Sequence, residues 1–274
     1  MRQVELHHGA ATDVGRVREV NEDAHLAVPP VFVVADGMGG HEGGDVASAI
    51  VVEEFGRLAE RGYDPVRAVD EVRATLADCQ RRILEFGEQQ ARRGVERRRS
   101  AGTTVVAALL VEEAGTPAWL LANLGDSRAY RLVDGVLDQV STDHSLVQEL
   151  VDAGRLAPED VATHPERNVI TRALGDAIGV DADYFVVPLA QAERIVLCTD
   201  GVNGMLDDTA IAAVLTAAAD PRDAADRLVA AAVAAGGEDN ATAVVVDVVG
   251  VREVEGYDAE QQRASLEAKL GGRP

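Results

Sequence analysis

Cysteine, lysine, aromatic residues and long apolar runs are all scarce in this chain of 274 residues. Cys79 and Cys198 are its two cysteines, and they lie in separate apolar stretches that make no disulfide framework. Lys269 is the sole lysine. Aromatics make up 3% of the chain against 47% hydrophobic residues, so the core has to be built from Val, Leu, Ala and Ile. That apolar fraction is ample for a packed domain and too high for a disordered chain. The longest apolar stretches, such as Leu228–Ala235, fall far short of the roughly 20 residues a membrane-spanning helix needs. The opening MRQVELHHGAATDVG lacks the apolar segment of a secretory signal. Positive charge is scarce as well: 26 Lys and Arg against 47 Asp and Glu give a net charge of −21. An anionic surface disfavours nucleic acid and an acidic membrane leaflet as partners. The expectation is a cytoplasmic protein that binds neither.

Hydrophobic periodicity organises what is present. Ala24–Val28 and Val31–Ala35 read as short strands around Pro29-Pro30, and residues 3–8 alternate weakly. From about Gly44 to Arg61, the positions Val46, Ile50, Val51, Phe55 and Leu58 recur at helical spacing. A second helix is expected to be capped by Asp64, with Pro65 at its first position. Thr103–Val111, Ala118–Leu124, Arg128–Val133 and Val136–Val140 read as strands, the last two joined by the type I′ turn signal Asp134-Gly135. An irregular stretch from Asp143 to about Asp181 precedes strands at Tyr184–Val187 and Arg194–Thr199. Two Ala-rich helices follow, Asp207–Ala218 and Pro221–Ala235, the second capped by Asp220, and a last strand spans Ala241–Val248. Helices and strands come in groups rather than in alternation. That order predicts an α+β fold of two packed sheets flanked by helices. Residues 251–274 form a polar tail with a possible short exposed helix.

The chemistry-bearing feature is an acid that recurs where an apolar strand stops. It occurs in VFVVADG (Asp36, Gly37), WLLANLGD (Asp126), RIVLCTDG (Asp200) and, before the last strand, GGEDN (Asp239). Glu22 and Asp23 in VNEDAH add two more. Oxygen-only ligands suit hard cations such as Mg²⁺ and Mn²⁺, and a glycine after the aspartate lets the backbone approach a ligand closely. A single Asp-Gly is more often a turn, and Asp126 has a rival reading as a turn or cap residue. Arg18 precedes Glu22 and Asp23 in TDVGRVREVNED. Its fork suits a phosphate, while pairing with Glu19 or Glu22 on the surface is an equal alternative.

The motifs DVGRVREVNED, ADGMGGHEGG, SAGTT, GDSRAY, TDG and EDNAT, in this order, resemble the metal-dependent serine/threonine phosphatases, the PPM or protein phosphatase 2C family, in its bacterial branch. The resemblance runs from about residue 5 to 248. It implies a central β-sandwich of two antiparallel sheets flanked by helix pairs, in α-β-β-α order, over residues 1–250. It also implies two Mn²⁺ or Mg²⁺ ions between the sheets. Asp36 would bridge both ions and the Gly37 carbonyl would bind one. Asp200 and Asp239 would hold the first, and Glu22 and Asp23 would act on the second. Arg18 would grip the substrate phosphate, and Asp126 with Asp200 would offer a weaker third position. Where animal members carry a histidine after the Asp-Gly, Met38 stands here, and His41 is the candidate acid in its place. Animal members also carry an aspartate where this chain has Gly204. The stretch at about 146–167 matches the family's flap.

The implied activity is hydrolysis of phosphoserine and phosphothreonine in proteins by attack of a metal-bridging water, opposing serine/threonine kinases. Kinases and their phosphorylated substrates are then the expected partners, and the chain is expected to act as a monomer. No serine or cysteine nucleophile is needed, so Ser100, Ser127 and Cys198 read as structural. The Arg92, Arg93, Arg97, Arg98, Arg99 cluster reads as a solvated loop, with docking of acidic segments as the sharper alternative. A phosphatase of anti-sigma-factor antagonists and a non-catalytic phosphoprotein binder are the competing readings; a two-metal nuclease is opposed by the charge.

Overall fold

Val31–Ala35 is apolar at every position because both of its faces are buried. Val31, Val33 and Ala35 pack beneath a helix pair, whereas Phe32 and Val34 point into the layer between two sheets. This division repeats through the computed structural model, which describes residues 2–39, 43–93, 101–176 and 180–253. The elements run in the order β1 (Arg2–Asp13), β2 (Ala24–Val28), β3 (Val31–Ala35), β4 (Gly37–Met38), α1 (Gly44–Arg61), α2 (Ala68–Arg92), β5 (Gly102–Thr103), β6 (Val105–Glu113), β7 (Thr116–Leu124), β8 (Arg128–Val133) and β9 (Val136–Gln139). They continue with α3 (Leu146–Asp152), β10 (Asp183–Pro188), β11 (Arg194–Cys198), α4 (Asp200–Asn203), α5 (Asp208–Ala217), α6 (Pro221–Ala235) and β12 (Ala241–Glu253). Two antiparallel five-stranded sheets result, ordered β1-β12-β11-β8-β9 and β10-β7-β6-β3-β2.

Three apolar layers hold the four tiers together. Val51, Phe55 and Leu58 of α1 join Val72, Leu76 and Ile83 of α2 over the β3–β6–β7 face. Ile211 and Leu215 of α5 and Leu228 of α6 cover Val196, Ala243 and Val245 of the other sheet. Between the sheets lie Phe32, Val106, Ala108, Trp119, Leu121, Ala129, Ile195, Leu197, Val244 and Val246. The α+β sandwich expected from the element order is the observed architecture.

Several boundaries differ from expectation. The first strand extends over twelve residues rather than residues 3–8, because it pairs along its whole length with β12. Asp64 caps a turn, not a helix: its carboxylate accepts from the Val66 N–H at 3.0 Å and its carbonyl from the Arg67 N–H, and α2 begins only at Ala68. The Thr103–Val111 strand is interrupted at Thr104, whose N–H and hydroxyl turn toward the Asp36 backbone. Asp134 and Gly135 take φ of 50° and 76°, the left-handed pair of a type I′ turn. The last strand runs to Glu253 rather than ending at Val248, because its far end pairs with the start of β1, so residues 251–253 of the expected polar tail belong to the sheet; the rest of that tail lies outside the described residues.

Asp220 caps α6 as expected, its Oδ1 accepting from the N–H groups of Arg222 and Asp223 at 2.8 and 3.0 Å. Asp220→Ala removes both acceptors. It is expected to lower stability by about 1 kcal/mol in urea unfolding, and no change would show that solvent serves those donors equally well.

Candidate active site

Both sheets deliver carboxylates to one place. Asp36 follows β3 and Asp23 precedes β2 in one sheet, while Asp200 opens α4 after β11 and Asp239 precedes β12 in the other. Asp126 lies in the link that carries the chain from β7 to β8, and so from one sheet to the other. Glycines permit the close approach. A side chain on Gly201 would collide with the Asn240 carbonyl, and one on Gly37 with the carbonyls of Gly44 and Glu22.

Electrostatics record this convergence. Burial holds the Asp36 carboxyl well above the ordinary carboxylate range, and the charges of Asp200, Asp23 and Asp126 push it further; Asp36 and Asp200 share a hydrogen bond. Asp200 is raised by burial and then by Asp239. Asp126 is pushed up to about 8 by burial, with Asp200 and Asp143 adding. Asp23 is pushed up to about 7 by burial, with Asp200 and Asp239 adding to that rise. The hydroxyls of Thr199 and Thr242, 2.9 and 2.7 Å from Asp23 Oδ2, pull the other way.

Arg18 stands at the rim, half-exposed, and donates from Nη2 to Asp239 Oδ2 at 2.7 Å. That partner is an acid of the cage, 221 residues away in sequence. The loop that carries Arg18 is fastened by Asn240. The Nδ2 of Asn240 donates to the carbonyls of Val14 and Val20 at 2.9 and 3.0 Å, and its Oδ1 accepts from the Glu22 N–H at 2.8 Å. Sequence reasoning used Asn240 only as a letter in EDNAT. Asn240→Ala removes all three bonds and is expected to cost about 1–3 kcal/mol in stability and to raise KM for phosphate esters. An unchanged KM would show that Arg18 does not depend on this staple.

Cations fit the donor set. Asp126 Oδ1 and Asp200 Oδ1 are buried without a hydrogen-bond partner among the described residues. Unpartnered buried carboxylate oxygens are costly unless something positive faces them. Yet no group of three His, Cys, Asp or Glu side chains among the described residues is closed up as a metal site. A cation that keeps several of its waters needs few direct protein ligands, which reconciles an open cage with the orphaned oxygens.

His41 lies outside the described residues, as do Arg97, Arg98, Arg99 and Ser100. Arg92 pairs with Glu88 at 3.2 Å, as a solvated helix end would. Ser127 is buried against the Thr104 hydroxyl at 2.7 Å. Cys198 is buried, and burial raises its thiol to about 12, far from a reactive thiolate.

Residues 16–235 match the family Protein phosphatase 2C, and the chain belongs to it. Serine/threonine phosphatase stp of Listeria monocytogenes is 35% identical over 254 residues, covering 88% of this chain and 96% of that protein. The crystal structure of the Mycobacterium tuberculosis serine/threonine phosphatase PstP/Ppp superposes with a TM-score of 0.76 at 34% identity, covering 89% of this chain and 98% of that one. The catalytic domain of PstP in complex with two manganese ions gives a TM-score of 0.73 at 33% identity, covering 90% and 99%.

Proposed function

We propose that this phosphatase 2C member hydrolyses phosphoserine and phosphothreonine in proteins with two divalent cations, Mn²⁺ or Mg²⁺, held by the cage described above. The observation that carries the reading is the buried carboxylate cluster with unpartnered oxygens on Asp126 and Asp200. The two manganese ions of the PstP catalytic domain support the number. Asp36 would touch both ions and the Gly37 carbonyl one of them, with Asp200 and Asp239 holding the first and Glu22 and Asp23 acting on the second. Asp126 and Asp200 would form a weaker third position. When bound, such ions lower the pKa of water and neutralise charge on phosphoryl oxygens.

The chain's own residues do the rest. Arg18 exchanges Asp239 for the substrate phosphate and aligns it. Asn240 fixes the loop from which Arg18 reaches. Thr199 and Thr242 keep the Asp23 carboxylate turned to one orientation. Residues 1–250 form the catalytic domain, with about 146–167 as a flap beside the site and 251–274 as a tail. His41 is the candidate proton donor to the leaving group. Phosphorylated proteins and the kinases that modify them are the partners this activity requires, and the chain acts as a cytoplasmic monomer. Among the described residues, no helix is long and apolar enough to cross a membrane.

The test is phosphate release from a phosphothreonine peptide with Mn²⁺, with chelator, and by Arg18→Ala. Turnover that requires the cation, with a raised KM in the variant, supports the reading. A folded, Mn²⁺-loaded protein without turnover on any phosphopeptide would favour the non-catalytic binder.

A further inference from the structure

A buried imidazole behind the cage ties three separate segments together. His144 is only 5% exposed. Its Nδ1 accepts from the Gly125 N–H at 3.1 Å, and its own N–H donates to the Gly125 carbonyl at 2.9 Å. Its carbonyl accepts from the Thr171 N–H at 2.8 Å. An imidazole that accepts at Nδ1 carries its proton on Nε2, and Nε2 faces Asp183 Oδ2 at 3.2 Å. Arg172 stands 3.4 Å from the same nitrogen and 3.5 Å from Asp183 Oδ1.

The three segments have distinct positions. Gly125 immediately precedes Asp126, whose Oδ1 has no partner among the described residues. Residues 144–146 and 169–171 are the two roots of the excursion that contains α3; they are bridged by Ser145 with Ile170 and by the Leu146 N–H donating to the Val169 carbonyl. Asp183 opens β10. A second tie runs parallel to the first, since Arg128 grips Asp143 at 2.7 to 3.0 Å. The peptide that leads into Asp126 is thus held by the residue that also closes the roots of the flap.

We propose that His144 is a positioning residue for Asp126: its imidazole fixes the Gly125–Asp126 peptide, so that the Asp126 carboxylate is presented to a weakly held cation. The proposal rests on the reading of Asp126 as a ligand of that third cation. Partners of this kind, one bond behind a ligand, typically change metal affinity by about 10- to 100-fold when removed.

Two near-isosteric variants separate positioning from bulk packing. The Oδ1 of His144→Asn reaches the place of Nδ1 and can still accept from Gly125. His144→Gln places its amide near Nε2 and cannot. Calorimetric titration of each metal-free protein with MnCl₂ reads the binding steps directly, and kcat on a small aryl phosphate is followed in parallel. His144→Gln is expected to weaken the weakest Mn²⁺ step by at least about 10-fold and to leave the tighter steps within about 2-fold. It should lower kcat in proportion at subsaturating Mn²⁺. His144→Asn should hold the same step to within about 3-fold of the parent. Adding Asp126→Ala to His144→Gln should weaken binding no further than Asp126→Ala alone.

Loss of the weakest step in Asp126→Ala but not in His144→Gln would overturn the proposal while sparing the reading beneath it. Equal damage by Asn and Gln across every step would also overturn it, because that is the signature of packing alone. If Asp126→Ala itself leaves every step unchanged, the reading of Asp126 as a ligand fails first.

Discussion

Asp36→Asn is expected to lower kcat/KM for phosphate release by at least about 10³-fold and at the same time to raise the thermal midpoint of the metal-free protein. Both effects follow from one carboxylate. Burial and three neighbouring carboxylates hold the Asp36 carboxyl well above the ordinary carboxylate range. Removing its charge removes like-charge repulsion from the folded state alone. An asparagine Nδ2 can still donate to Asp200 in the hydrogen bond that the two residues share. The expected gain is about 1–2 kcal/mol, or roughly 2–8 °C for a domain of this size. An asparagine cannot offer an anionic bridge to two cations, so Mn²⁺ should stabilise the variant much less than the parent. A variant that loses activity but melts at or below the metal-free parent would place Asp36 in the packing of the fold and not in an electrostatic cage.

The metal-free protein should lose stability as pH rises from about 5 to 8.5, and saturating Mn²⁺ should largely abolish that slope. The sign follows from proton counting. Asp23 is raised from 3.8 to about 7 and Asp126 from 3.8 to about 8. Between those limits the folded chain binds more protons than the unfolded one. Relative stability is therefore fully present below 3.8 and is lost as pH climbs through the folded values. The slope is about 1.4 kcal/mol per pH unit for each raised acid, and so roughly twice that while both remain protonated in the fold. Bound cations keep the carboxylates ionised, which removes the excess protons. A hundredfold excess of Mn²⁺ over its Kd adds about 2.7 kcal/mol. Melting curves with chelator and with Mn²⁺ at several pH values decide it. Identical, flat profiles in both would mean that the acids do not converge.

Much of this was legible because apolar strands that end in Asp leave a local trace, and VFVVAD and RIVLCTD could be read without knowing their partners. What escaped was non-local. The length of β1 depends on a register with β12, more than two hundred residues away, and its HHGAAT stretch has no strong period of its own. Asp64-Pro65 carries the local signal of a helix cap, but the turn it closes absorbs that signal before α2 begins. The groups that aim the ligands were hidden for the same reason. Thr199, Thr242, Asn240 and His144 are ordinary neighbours of motif acids in the sequence, and only the fold shows which atoms they hold. Arg18 left two partners open locally, and the observed one lies on the far side of the chain.

The cage straddles a seam. Its acids come from both leaves of the sandwich, and what separates the leaves is one apolar layer in which Ala108 and Ala129 lie among bulkier fillers such as Phe32, Trp119 and Leu197. The gap between the leaves therefore sets the span across which Asp36 and Asp200 face one another. A single added methyl group in that layer, remote from any substrate, would act as a shim. It would tune the separation of the two sets of carboxylates through filler thickness alone.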